Sequence, residues 1–213
     1  MKAKRFVCVL LFACIFAVLL TGCIGDGSVT RTLANARNVS VVDVTEAPLP
    51  DDVLSNTYTM SFTTKDDVSK RLSMKTLPFD SDDAGISVKA TDSAVYAVIV
   101  RDVKDGVKSV SDLSNYTVKM VSDKLSEYTK NGTFEAKTSA VYEYAKQDVL
   151  VQNCVVSYDS DDNDCDSVLY SFIVGDKLIT VCGVSLSEDG QLQGHSVSEI
   201  AYATVNTVVI SAE

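Results

Sequence analysis

The densest cluster of metal-ligating side chains lies in YDSDDNDCDSVLY, residues 158–170. Asp159, Asp161 and Asn163 place oxygens at alternate positions, as the opening of a calcium loop does, because hard Ca²⁺ takes six to eight oxygen ligands. The match then breaks. Asp164 stands sixth, where the sharp turn needs glycine, and Tyr170 twelfth, where a bidentate glutamate belongs. Asp and Asn also favour turns without any metal. The run therefore reads as a solvated hairpin tip, with weak Ca²⁺ binding by Asp159, Asp161 and Asn163 as the alternative. DSDD, Asp80 to Asp83, reads as a loop on the same grounds.

Nucleophilic chemistry lacks parts. His195 is the single histidine, and a Cys–His pair with Cys154 or Cys182 would need a third group to orient it. Both cysteines fall inside strand-like runs, and His195 precedes a helix-like one. One histidine and scattered cysteines show no zinc-ligand spacing. There is no glycine-rich phosphate loop and no G-x-S-x-G elbow. The expectation is a protein that is not an enzyme and needs no cofactor; a hydrolase with an unrecognised site is the third alternative.

One cysteine stands apart. In AVLLTGCIGDGS, Ala17 to Ser28, Cys23 closes an apolar run and the chain turns polar at once. Lys2, Lys4 and Arg5 precede a run of 15 apolar residues, Phe6 to Leu20. As a helix that run is about 22 Å long, short of the ~30 Å hydrocarbon core. Residues 1–22 thus form an export signal. Leu20-Thr21-Gly22-Cys23 resembles the lipobox of prokaryotic lipoproteins. That resemblance implies cleavage before Cys23 and lipid on its sulfur; two or three acyl chains, palmitate-like, hold a protein where one does not. The expected address is the extracytoplasmic face of a bacterial or archaeal membrane.

The remaining cysteines, Cys154, Cys165 and Cys182, are odd in number. A hairpin about Asp162 sets Cys154 opposite roughly Tyr170 and leaves Cys165 at the turn. Cys154 and Cys182 then lie two strand spacings apart, about 9–10 Å, too far for a disulfide. Three free thiols are expected, with Cys154 and Cys182 acting as small buried hydrophobes. Loss of the basic leader deepens the net charge from −10 to −13. Such a surface repels phosphate backbones, so nucleic acid is not an expected partner. An unidentified protein, and the membrane through Cys23, are.

Residues 23–55 read as lipidated cysteine and tether, with a short strand candidate at 39–45 and the loop signal APLPDD. The globular domain is expected over 56–213. TYTMSF alternates, RLSMKTLPF and GISVKA are weaker strand candidates, and AVYAVIVRDV is apolar on both faces. SVSDLSNYTVKMVSDKLSEYTKNG is the clearest helix. Leu113, Tyr116, Met120, Val121, Leu125 and Tyr128 form its stripe, Ser109 or Ser111 caps its start and Asn131-Gly132 its end. SAVYEYA, DVLVQNCVVSYD, DSVLYSFIV and KLITVCGVSL follow as strands. HSVSEIAYATVNTVVISA reads as a terminal helix capped by Ser196 or Ser198; its β-branched residues leave the last turn open to extension. The segregated order indicates an α+β fold with an antiparallel meander. Sequons at Asn38, Asn115 and Asn131 matter only in a host that glycosylates them.

The strand AVYAVIV leading into a helix that opens DLSNY, with a meander closed by a C-terminal helix, resembles the Mog1/PsbP-like α/β/α sandwich over about 56–210. In that pattern Leu113 and Tyr116 match the start of the first helix. The resemblance implies an antiparallel sheet with helices on its faces and little about activity. The expected function is a lipid-anchored, non-enzymatic binding or scaffolding module, with a cation- or solute-binding accessory role through the acidic tip as the alternative.

Overall fold

The computed structural model describes residues 49, 52–64, 66–103, 107–158, 161–187 and 190–213. Twelve strands and two α-helices follow one another there: β1 (Asn56–Thr63), β2 (Ser69–Thr76), β3 (Ser81–Asp83), β4 (Ile86–Ala90), β5 (Ala94–Asp102), α1 (Ser114–Leu125), β6 (Thr133–Tyr144), β7 (Gln147–Tyr158), β8 (Asp161–Val174), β9 (Lys177–Ser185), β10 (Gln191–Leu192), β11 (His195–Ser196), α2 (Val197–Asn206) and β12 (Val209–Ala212). Seven strands form one antiparallel sheet in the order β3-β4-β5-β9-β8-β7-β6, and β1-β2-β12 form a second. The class is α+β, as the order of sequence patterns indicates.

The large sheet is covered on both sides. Val95, Ala97 and Ile99 of β5 face the α1 side with Leu169 and Cys182; there they meet Leu113, Met120, Val121 and Leu125. Tyr116 and Tyr128 pack half-buried at its margin. The opposite face presents Tyr96, Val98, Val168, Phe172 and Val181 to Val197, Ile200, Ala201 and Val205 of α2 and to Leu72 and Met74 of the small sheet. This explains the doubly apolar β5: alternate residues enter two different cores. Val53 and Leu54, ahead of β1, are buried in the second of them.

Capping fixes both helix starts. Ser109 caps a 3₁₀ turn (Val110–Leu113) that leads into α1, and Asp112 closes the capping box. Ser196 and Glu199 do the same for α2, with a Glu199 N–H to Ser196 Oγ bond of 3.1 Å. α1 ends at Leu125, earlier than the end expected at Asn131-Gly132, and the chain continues in turns to Lys130 and Asn131, which take positive φ (51° and 60°).

Three further expectations are corrected. The terminal helix ends at Asn206, and Val209–Ala212 turn back as an edge strand on β2, Ile210 opposite Leu72. The β-branched run Val208, Val209, Ile210 suits an extended chain better than another helical turn. DSDD is not a loop: Ser81–Asp83 pair with β4, and the turn falls at Ala84-Gly85 (φ 47° and 74°). Asp80 supports that hairpin through Lys89 Nζ (2.6 Å) and the Ala90 N–H (3.2 Å), and Asp82 accepts from Ser87 Oγ (2.7 Å). Lastly, β7 and β8 extend to Tyr158 and from Asp161, which pair with each other, so the hairpin is not centred about Asp162. Cys154 therefore faces Ser167, not Tyr170, and Cys165 lies in the ladder opposite Val156 instead of at a turn. Backbone pairing outcompetes the turn preference of the acidic residues there.

A buried amide ties α1 to the sheet. Gln152 of β7 is 1% exposed. Its Nε2 donates to the Ser114 carbonyl (2.9 Å) and Ser139 Oγ (3.2 Å), and its Oε1 accepts from Thr117 Oγ1. Gln152→Met keeps the volume but removes all three bonds, leaving the Ser114 carbonyl with Thr117 Oγ1 (3.0 Å) as its side-chain donor. We expect it to cost about 2 kcal/mol, read from urea unfolding. An unchanged midpoint would mean that water or neighbouring groups satisfy the orphaned atoms.

Candidate functional site

Among the described residues, those singled out from sequence do not converge. Cys23, Asp159 and the segment 39–45 lie outside the described residues. Asp161 and Asn163 belong to the backbone ladder of β8. His195 sits half-buried in the short β11, just ahead of the cap of α2. Among the described residues, no three His, Cys, Asp or Glu side chains group as metal ligands would.

The thiols are placed for packing. Cys154, Cys165 and Cys182 are buried, and Cys154 and Cys182 are free thiols. Cys154 and Cys182 are separated by β8, since Cys154 pairs Ser167 and Cys182 pairs Leu169. The Cys182 thiol is held against the Ala97 carbonyl (3.6 Å). Burial pushes both thiols up to about 12, the opposite of what a thiolate nucleophile requires.

A different group of side chains does converge, and the sequence reading missed it. α2 covers the β5, β9 and β8 part of its face of the large sheet and leaves the outer strands beside it half-covered. Tyr142 and Tyr144 of β6, two residues apart, point to that side, as does Tyr170 of β8; Tyr202 of α2 closes the step. The Tyr144 ring stands edge-on to Tyr170 (centroids 6.1 Å, 81°) and to Tyr202 (5.9 Å, 86°), and tilts against Tyr142 (6.1 Å). Tyr170 lies 6.4 Å from Tyr202. These spacings are those of favourable aromatic pairs. Tyr170 is buried, whereas Tyr142, Tyr144 and Tyr202 are half-exposed. Burial first, then Tyr202 and Tyr142, push the Tyr144 phenol up to about 12, so it stays a neutral hydrogen-bonding group. Val151 and the Asn153–Thr138 pair (Nδ2 to Oγ1, 2.9 Å) continue the surface along β7 and β6. The available signal was VYEY: alternate tyrosines at the end of a strand, on one face.

Two open clefts flank the large sheet. One, of about 390 Å³, has Val103, Val107, Val110 and Ile173 at its base and Lys108 and Lys146 at its rim. The other, of about 450 Å³, lies between α1 and the start of β6, beside Val118, Lys119, Asp123 and Phe134. No described helix is long and apolar enough to cross a membrane.

No protein-family model and no curated protein matches the chain. Among solved structures, the solution structure of cyanobacterial PsbP (CyanoP) from Synechocystis sp. PCC 6803 matches over 73% of this chain and 92% of that one. Sequence identity is 13% and the TM-score 0.42. At those values the likeness assigns no activity, and the α+β class rests on the sheets and helices themselves.

Proposed function

We propose that this chain is a lipid-anchored binding module. Cys23 ties it to the extracytoplasmic face of a membrane, and the half-covered tyrosine step receives a protein partner. The observation that carries the reading is the trio Tyr142, Tyr144 and Tyr202, half-exposed yet held on one strand of the large sheet and a capped helix. Tyrosine contributes large contact area at little entropic cost and keeps a polar tip for orientation, which is why it is enriched at interfaces. The lipobox-like LTGC supports the address, and the net charge of −10 favours a partner with a basic surface.

The test uses the full chain in membranes of a prokaryotic host. Intact mass should show loss of residues 1–22 and an acyl adduct at Cys23, and Cys23→Ser should abolish both, leaving the apolar leader attached. Crosslinking with mass spectrometry should then place partner peptides against residues 138–155 and 202. Tyr144→Ser and Tyr202→Ser should remove those crosslinks while leaving circular dichroism unchanged. Unmodified Met1 with no adduct overturns the address; crosslinks indifferent to both tyrosine changes overturn the face.

A further inference from the structure

The large sheet ends differently on its two sides. At one edge β3 is three residues long and carries Asp82 and Asp83, a short charged edge of the kind that discourages pairing. At the other, β6 runs for twelve residues with only β7 beside it among the described residues. A register shift between Ala136 and Thr138 bulges the chain at Lys137. From there to Tyr144 the ladder is regular, and Thr138 to Tyr142 carry no charge. An edge of that length with no described strand on its outer side is a template for another strand.

The side chains on this edge are complementary to themselves. An antiparallel pair of identical strands closes about a twofold axis, so each register is named by the residue on that axis. With Ala140 on the axis, Lys137 meets Glu143 of the other copy, and the symmetry repeats the pair. Tyr142 then faces Thr138, Ala140 faces Ala140 and Ser139 faces Val141, so each large ring meets a small residue. Moving the axis to Ser139 sets Lys137 opposite Val141, and the bulge keeps Glu135 on the face away from Glu143, so the opposite charges no longer meet. Moving it to Val141 leaves both Lys137 and Glu143 opposite uncharged residues. In the single chain Lys137 is ion-paired to Glu135 (2.7 Å), both exposed; such a surface pair exchanges at small cost.

From this charge and size complementarity we propose that β6 is a homodimer edge. Two copies pair antiparallel about Ala140, joining their seven-stranded sheets into one of fourteen strands. The pairing leaves Tyr144 and Tyr202 open, and it does not depend on the anchor or on the partner face proposed above.

Sedimentation equilibrium of the domain with residues 1–22 removed tests it, using three variants: Lys137→Glu, Glu143→Lys and the double exchange. The wild type should show a concentration-dependent monomer–dimer equilibrium. Each single change creates two like-charge contacts and should weaken the dimer about tenfold, and the double exchange should restore it. The alternate amides of 138–144 that point away from β7 should be protected from hydrogen exchange only at dimer-forming concentrations. A wild type that stays monomeric at millimolar concentration overturns the proposal. So does a dimer whose strength ignores the single changes or is not restored by the double one. Concentration-independent protection of those outward amides would show that another segment of the same chain occupies the edge, and would overturn it as well.

Discussion

Gly183→Ala is expected to destabilise the domain by about 3 kcal/mol, the scale of an overpacked core. Gly183 lies within β9, paired with Tyr96 on one side and Val168 on the other. It sits directly beneath Val197, the first residue of α2. A methyl built there falls 2.3 Å from the Val197 carbonyl oxygen, 2.6 Å from its carbon and 3.0 Å from its Cβ. Two of those atoms are backbone at the start of a helix, so no side-chain rotation relieves the clash. The helix must lift or slide, and either movement disturbs the Ser196–Glu199 capping box and the contacts of Ile200 and Ala201 beneath it. It also disturbs the buried hydroxyl pair of Tyr96 and Thr204 (2.8 Å), which joins β5 to α2. For a domain of this size the loss corresponds to a fall in Tm of roughly 6–12 °C. Denaturant unfolding checks it: a cost below about 1 kcal/mol would show that α2 has room to move. Leucine or valine at the same place is expected to prevent the helix from docking at all.

That glycine also marks the limit of reading the sequence alone. Within KLITVCGVS it looks like a weak point in a strand; only the position of α2 turns it into a requirement for close approach. Elements whose signal is local were legible. The stripe Leu113, Met120, Val121, Leu125 and the S-x-x-D and S-x-x-E boxes define both helices, because spacing and capping are set within a few residues. The four meander strands were legible for the same reason. The failures are long-range. Val209–Ala212 become a strand because β2, more than 130 residues earlier, offers an edge. The acidic residues of β8 join a ladder because β7 already defines its register. The tyrosine step was missed because its members come from β6, β8 and α2, separated by up to 60 positions, and only the partial coverage by α2 brings them together at a surface. The expectation that Cys154 and Cys182 stay unbridged fared better than the register from which it was drawn, since a slip along one hairpin leaves them on either side of β8.

Those thiols carry the second large effect, which appears at alkaline pH. Cys154 and Cys182 are raised from an ordinary value of 9.0 to about 12 by burial. The Tyr144 phenol is raised from 10.0 to about 12, and Tyr96, fully buried, is raised as well, against the lowering effect of its bond to Thr204. In each case the folded state holds a proton that the unfolded chain releases more easily. A group of that kind contributes its full stability below the unfolded pKa and loses it as pH rises through the folded one. Stability from these groups is therefore expected to be flat up to about pH 8 and to fall between about pH 9 and pH 12, by several kcal/mol in all. The acid side behaves differently. Asp80 and Asp102 are lowered by their hydrogen bonds to Lys89 and Lys177, but both carboxylates are exposed, and screening by solvent keeps their contribution small. Denaturant midpoints measured from pH 5 to pH 11 should show the asymmetry. The same burial predicts that Ellman's reagent detects almost no thiol in the native domain at pH 8, and all three of Cys154, Cys165 and Cys182 once it is unfolded. Cys154→Ala with Cys182→Ala should flatten the decline above pH 9, leaving the share that belongs to the tyrosines. A native domain that reacts rapidly at pH 8, or a stability profile unchanged by removing both thiols, would mean that water reaches the α1 side of the sheet and that its core is looser than the packing around Cys182 indicates.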